Sequence, residues 1–295
     1  MDEPKFACEN FTMQKLDQWP LNDRRAITGV LTDIDDTLTT EGAITPEALA
    51  ALADLKAAGL PVIAVTGRSV GWSKPFALAG PLDAIVAENG AVALFCKTDR
   101  QKAGPEHKNS LQPNEYLGWQ LSKEYQQDEF VRRENFARMQ RVTARVLREV
   151  AGAQLAQDSA GRETDIAIDH SEFTTLAPER ITDVVRIMRS EGMNASVSSI
   201  HINGWFGSHN KLQGARWVVR ELLQRNLDLE MAQWVFIGDS TNDEMMFKAF
   251  PNSVGVANVR RFEAQLESLP RYVTRGERGA GFSEVAKAIL AARTG

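Results

Sequence analysis

Apolar and polar positions along the chain alternate between two kinds of segment from Ile27 to about Phe95. Short, wholly apolar runs (Ile27 to Leu31, Val62-Ile63-Ala64-Val65, Ala84-Ile85-Val86-Ala87) read as strands buried on both faces. Between the first two lies a helical stripe, Ala48, Leu49, Leu52 and Leu55, with Thr45 as N-cap, Pro46 in the first turn and Gly59 as the stop. Strands alternating with helices predict a parallel sheet with right-handed crossovers.

From Cys96 to about Asn203 the character changes. Lys97 to Asn114 is polar and rich in turn formers, a loop near a hinge. Glu134 to Val150 is helical in composition, and Pro178 to Glu191 is an amphipathic helix closed by Gly192. Thr164 to His170 alternates as a half-buried strand does, and Ala195 to Phe206 is a further strand. The first pattern then resumes: a helix over Lys211 to Arg225, a strand over Gln233 to Ile237 and a short helix over Asp243 to Ala249. Small strands at Ser253 to Val256 and Tyr272 to Thr274 and a terminal helix over Phe282 to Arg293 complete it. The fold class is therefore α/β: a Rossmann-like parallel-sheet core, 27–95 and 205–295, interrupted by an α+β domain, 96–204, with one solvated sheet face. Hinges are expected near 92–97 and 203–210, and residues 1–26 form an N-terminal extension.

The chain's 295 residues, 43% hydrophobic, suffice for two domains, and a net charge of -5 with interspersed signs argues against nucleic acid as a partner. Cys8 and Cys96 are too few for a disulfide framework and fit a reducing cytoplasm. No run is long enough to span a membrane, and the first 26 residues lack the apolar segment of a secretory signal.

Each apolar strand of the core runs into a polar loop: Asp33-Ile34-Asp35-Asp36-Thr37, Thr66-Gly67-Arg68, and Gly238-Asp239-Ser240-Thr241-Asn242-Asp243. Ligands of open α/β sheets bind at that carboxyl edge. In an extended segment Asp33 and Asp35 face the same way, so two carboxylates address one pocket and repel unless a cation offsets them. A hard divalent ion, Mg²⁺, held through oxygen by Asp33, Asp35 and Asp239 meets that need, with Asp243 grouped beside them. Asp33 is the candidate nucleophile, forming an aspartyl-phosphate, and Asp35 the acid that protonates the leaving alcohol and then deprotonates water. Thr66 and the Gly67 N–H are placed to bind phosphoryl oxygens, Lys211 to offset their charge, and Asn242 and Asp243 to orient Lys211, water or phosphate. Arg68 is either a substrate contact or the partner of a core carboxylate, and Trp205 and Phe206 either pack or line the site. The spacing of His170, His201 and His209 fits no zinc signature; the first two read as strand residues, and His209 and Asn210 shape the turn before Lys211.

The ordered set D-I-D-D-T, T-G-R, a lone Lys and G-D-S-T-N-D resembles the haloacid dehalogenase superfamily of aspartate-nucleophile phosphotransferases, over 27–92 and roughly 207–258. An insert between the second and third motifs is similar to the type II cap, of the C2B subgroup that includes Cof-like, sucrose-phosphate and mannosyl-3-phosphoglycerate phosphatases. Glu88-Asn89-Gly90-Ala91 resembles a stretch frequent there and adds Asn89 to the candidate substrate contacts. The resemblance implies a Mg²⁺-dependent phosphatase for a small phosphomonoester, a sugar phosphate in first place. A phosphomutase of the phosphomannomutase type and a non-catalytic phosphate-binding domain are the alternatives. Asp36 stands where many such proteins carry Gly, and reads as a turn or capping residue.

Overall fold

The computed structural model describes residues 12–98 and 119–293. Strand β1 (Gln14–Lys15) and helix α1 (Leu21–Arg25) lead into β2 (Gly29–Thr32), followed by the small hairpin β3 (Thr39–Thr40) and β4 (Ala43–Ile44). Then come α2 (Pro46–Ala57), β5 (Val62–Val65), α3 (Val70–Ala79), β6 (Ala84–Ala87), β7 (Val92–Thr98) and β8 (Trp119–Tyr125). Thr45 caps α2 as expected, its hydroxyl accepting the Ala48 N–H at 3.3 Å, and Gly59 leaves the helix at φ +75°. The inserted domain holds α4 (Glu129–Glu149), β9 (Gln154–Leu155), β10 (Ile166–Asp169), α5 (Pro178–Ser190), β11 (Asn194–Val197) and β12 (His201–Trp205). The core closes with α6 (Lys211–Leu223), α7 (Leu227–Glu230), β13 (Trp234–Gly238), α8 (Glu244–Ala249), β14 (Asn252–Gly255), β15 (Tyr272–Val273) and α9 (Arg278–Arg293).

One nine-stranded sheet, in the order β1-β15-β14-β13-β2-β5-β6-β7-β8, runs through the core. It is parallel from β1 to β6 and turns antiparallel at β7 and β8. Apolar side chains fill both of its faces. Leu52, Leu55, Phe282 and Ile289 cover one side, and Val218, Phe236, Phe247 and Phe250 the other. A second sheet, β11-β12-β10-β9, is antiparallel and carries α4 and α5 on one face, where Met139, Val142, Ile187 and Met188 meet Ile168 and Ile202. Among the described residues, no helix is long and apolar enough to cross a membrane.

Four boundaries differ from those read in the sequence. Residues 119–125 pair with β7 over its full length, from Val92↔Tyr125 to Thr98↔Trp119, so they extend the core sheet rather than the insert. The first crossing into the insert therefore lies after Tyr125, not at 92–97; residues 99–114 of the expected loop, and Cys8, lie outside the described residues. The N-terminal segment from Gln14 is part of the core, because β1 pairs with β15 and Trp19, 1% exposed, stacks on Tyr272 at 5.6 Å and donates to Asn252 Oδ1. Ala195 to Phe206 is a hairpin, β11 and β12, rather than one strand, and α4 begins five residues before Glu134, with Asp128 as its cap. Finally, the polar face of the inserted sheet is buried: all residues of β10 and β12 are, and that face is turned onto the motif loops.

Candidate active site

Strand β2 lies between β13 and β5, so Asp33, Asp239 and Thr66 emerge side by side at one carboxyl edge. The Asp33 N–H donates to Ile237 O at 2.8 Å, which ties the first motif to the strand bearing the fourth. The turn after it folds back through Ile34 O, which accepts the N–H groups of Leu38 and Thr39. Asp36 occupies this turn at φ +53°, a conformation that favours glycine, and its carboxylate pairs with Arg278 at 3.0 Å.

Lys211, first residue of α6, is delivered by its Asn210 cap, whose side chain accepts the Gln213 N–H at 2.9 Å. Its Nζ lies 2.7 Å from Asp33 Oδ1 and 2.7 Å from Asp243 Oδ1. Asp243 turns its other oxygen to the Asp239 N–H at 2.9 Å and is thereby a fixed strut of the fourth loop. Gly238 makes that possible, since a Cβ there would stand 2.4 Å from Asp243 Oδ2. Asp239 Oδ2 accepts from Asn258 at 3.1 Å, while its Oδ1 is buried without a partner among the described residues. Carboxylate oxygens of Asp33, Asp239 and Asp243 approach within 4.8 Å of one another. Burial, opposed by Lys211 and reinforced by Asp243 and Asp35, pushes Asp33 up to about 8; burial, reinforced by Asp33, Asp243 and Asp36 and opposed by Lys211, carries Asp239 well above the ordinary carboxylate range. Two buried carboxylates held above their usual pKa, and one orphaned oxygen between them, fit a hard divalent cation.

The structure thus assembles Asp33, Lys211, Asp239 and Asp243, but not Asp35. The Asp35 carboxylate is not in the acidic trio; it faces Arg68, whose Nε lies 2.8 and 3.0 Å from its two oxygens. The expected coordination by its side chain is corrected accordingly: the guanidinium supplies the positive charge that Asp35 needs. Of the two readings given for Arg68, the carboxylate partner is the one this arrangement contains. Thr66 is buried, and its hydroxyl accepts the Arg68 N–H at 3.1 Å, which shapes the second loop. Gly67 presents its carbonyl to Arg162 and Asn203 of the insert at 3.0 and 3.1 Å. Asn89 donates to Asp165 of the insert at 3.1 Å, and Asn242 accepts from Ser240 at 2.9 Å.

The inserted domain supplies residues that sequence reasoning missed. Glu172 pairs with Arg68 at 2.7 Å and with His201 at 2.8 Å; burial alone would raise it, but those two hydrogen bonds and charges hold it at about 2. Arg162 bridges Asp158 and Asp165 at 3.0 and 2.7 Å. Glu88, wholly buried, accepts from the Val70 N–H in the core and from the Thr164 hydroxyl in the insert at 2.9 and 2.6 Å. The only sequence signal for these contacts is the polar half of T-D-I-A-I-D-H and the Glu88-Asn89 pair. His170 is satisfied by Ser198 O at 3.0 Å, whereas both ring nitrogens of His209 are buried without partners among the described residues, and burial brings its pKa down to about 4. A cleft of about 660 Å³ opens between β11 and the third and fourth motifs, lined by Asn89, Lys211, Asn242, Trp205 and Arg189 among others. Trp205 both packs and lines, its indole donating to His209 O at 2.9 Å, while Phe206 belongs to the inserted domain's core.

Acidic and polar motif loops at one sheet edge, covered by an inserted α+β domain, define a capped α/β architecture. Residues 30–130 match the family described as haloacid dehalogenase-like hydrolase. Its fold is similar to a Thermoplasma acidophilum protein at 16% identity, covering 89% of this chain and 98% of that one with a TM-score of 0.62. It is also similar to the Synechocystis sucrose-phosphatase solved with sucrose and phosphate (16% identity, 90% and 98% covered, TM-score 0.58). The C-terminal domain of C. albicans trehalose-6-phosphate phosphatase is a third (12% identity, 95% and 99% covered, TM-score 0.63). At such identities the likeness is one of fold. No curated protein matches the sequence.

Proposed function

We propose that the protein is a phosphatase that hydrolyses a small phosphomonoester, a sugar phosphate, through a phosphorylated Asp33. The observation that carries this is the Asp33–Lys211–Asp243 chain, with 2.7 Å at each link, beside the unpartnered oxygen of Asp239. Asp33 and Asp239 would hold Mg²⁺, which when bound supplies the positive charge that lets a carboxylate and a phosphate dianion approach. A carboxylate oxygen of Asp33 attacks phosphorus as the bond to the ester oxygen breaks, and Asp35 gives that oxygen its proton. Asp35 then takes a proton from water, whose oxygen attacks the acyl phosphate; orthophosphate leaves and Asp33 is restored. Lys211 offsets charge on the transferring group, while Thr66 and the Gly67 N–H contact its oxygens. The sugar-phosphate assignment draws on the amide and hydroxyl side chains among the cleft's lining and on the two neighbours whose names carry that activity.

Phosphate release from p-nitrophenyl phosphate with MgCl2 tests it. Asp33→Asn should reduce kcat by at least about a thousandfold, the scale of a lost nucleophile. An isomeric sugar phosphate accumulating in place of orthophosphate would instead identify a mutase.

A further inference from the structure

The cleft holds one charge that the reaction does not use. Of the charged side chains lining it, Lys211 is answered by Asp33 and Asp243, and Glu244 accepts the N–H groups of Glu267 and Ser268. Arg189 is the third. It donates only a long contact, 3.5 Å to Ala195 O, and pairs with no carboxylate among the described residues. Its position is nevertheless defined. It sits in the last turn of α5, which Val184, Ile187 and Met188 bury against the inserted sheet, and its guanidinium rests on β11. Strand β11 is in turn seated on the fourth motif, where the Thr241 hydroxyl donates to Val197 O at 2.7 Å. Arg189 is solvent-exposed and lines the same cleft as Lys211. Asn194, Ser196, Asn210 and Asn242 share that lining with Met193, Trp205 and Met245.

We propose that Arg189 is a specificity residue that binds a second anionic group on the alcohol half of the substrate, a carboxylate or a second phosphate on a hydroxylated skeleton. The proposal rests on the phosphatase reading above and narrows its substrate class. A planar guanidinium that pairs with no carboxylate among the described residues matches either anion through paired hydrogen bonds. A neutral sugar phosphate would leave the charge unanswered while placing only hydroxyls beside it.

Steady-state kinetics of the full chain with MgCl2 on 6-phosphogluconate, fructose 1,6-bisphosphate and glucose 6-phosphate separates the cases. At least one of the two anion-bearing substrates should exceed glucose 6-phosphate tenfold in kcat/KM, and which one does tells carboxylate from phosphate. Arg189→Ala should collapse that ratio to near unity, chiefly through KM, and Arg189→Lys should recover part of it. Equal or better turnover of glucose 6-phosphate by the unmodified protein, or a ratio unmoved by Arg189→Ala, overturns the proposal. Calorimetric binding of the same ligands to Asp33→Asn, with and without Arg189→Ala, is read beside the kinetics. Arg189-dependent binding without turnover would sink the phosphatase reading alone, and binding indifferent to Arg189 would sink the anion site.

Discussion

Arg68 joins the proposed acid–base group to the inserted domain: its Nε lies 2.8 Å from Asp35 Oδ1, and its NH2 lies 2.7 Å from Glu172 Oε1. Glu172 is itself fixed, since His201 sits 2.8 Å from it and its backbone N–H is held by Asp169 at 2.9 Å. The orientation of Asp35 is thus coupled to whether the cap is seated.

Glu172→Gln keeps the shape of this link and removes its charge. Arg68 retains Asp35, so the loss is the charge assistance in the pairs that Glu172 makes with Arg68 and His201, about 1–2 kcal/mol. We expect kcat/KM to fall about tenfold and a fluorescence-transfer pair across cap and core to report a more open average. Unchanged kinetics together with unchanged closure would refute the coupling.

Cation binding should carry a pH signature. Asp33 is raised from 3.8 to about 8 in the fold, so the folded protein keeps a proton that the unfolded chain releases. The Asp33 contribution to stability without metal is complete below about pH 3.8 and is lost as pH rises toward 8. Mg²⁺ needs the ionised carboxylate, so its stabilising effect should grow over the same interval. Thermal melts should show a larger rise in Tm with MgCl2 at pH 8 than at pH 5.5, by about 2–4 °C for each kcal/mol gained. Asp239→Asn should remove most of the difference; an equal rise at both pH values would count against a cation at these carboxylates.

His209 makes a prediction of opposite sense. Burial lowers it from 6.5 to about 4, so the fold holds it neutral while the unfolded chain protonates. Its contribution is complete above pH 6.5 and drains away as pH falls toward 4. The difference corresponds to roughly 3 kcal/mol. His209→Phe leaves no buried nitrogen without a partner and should flatten urea midpoints between pH 7 and pH 5. Persistence of the acid sensitivity in that variant would place its origin elsewhere.

Trp19 tests the revised start of the core. Its ring is 1% exposed, stacked on Tyr272 and hydrogen-bonded to Asn252 at 2.9 Å. Trp19→Ala should cost about 3–5 kcal/mol in chemical unfolding. A loss within about 0.5 kcal/mol would mean that the segment is an appendage after all.

Strands β2, β5, β6 and β13 and the loops that follow them were legible in the chain, because a strand buried on both faces must be apolar throughout and its polar continuation marks the edge. The roles proposed for Asp33, Asp239 and Lys211 came from the same local logic: ordered motifs at strand ends imply one shared pocket. Where Asp35 turns, and which cap residues reach it, could not be read that way. Glu172 stands 104 positions from Arg68 and Asp165 stands 76 from Asn89, and no local period records a contact made only when two sheets face each other. The alternation in T-D-I-A-I-D-H truly marks a two-faced strand, yet water and a catalytic loop demand the same polar side chains, and only packing decides which of them lies opposite.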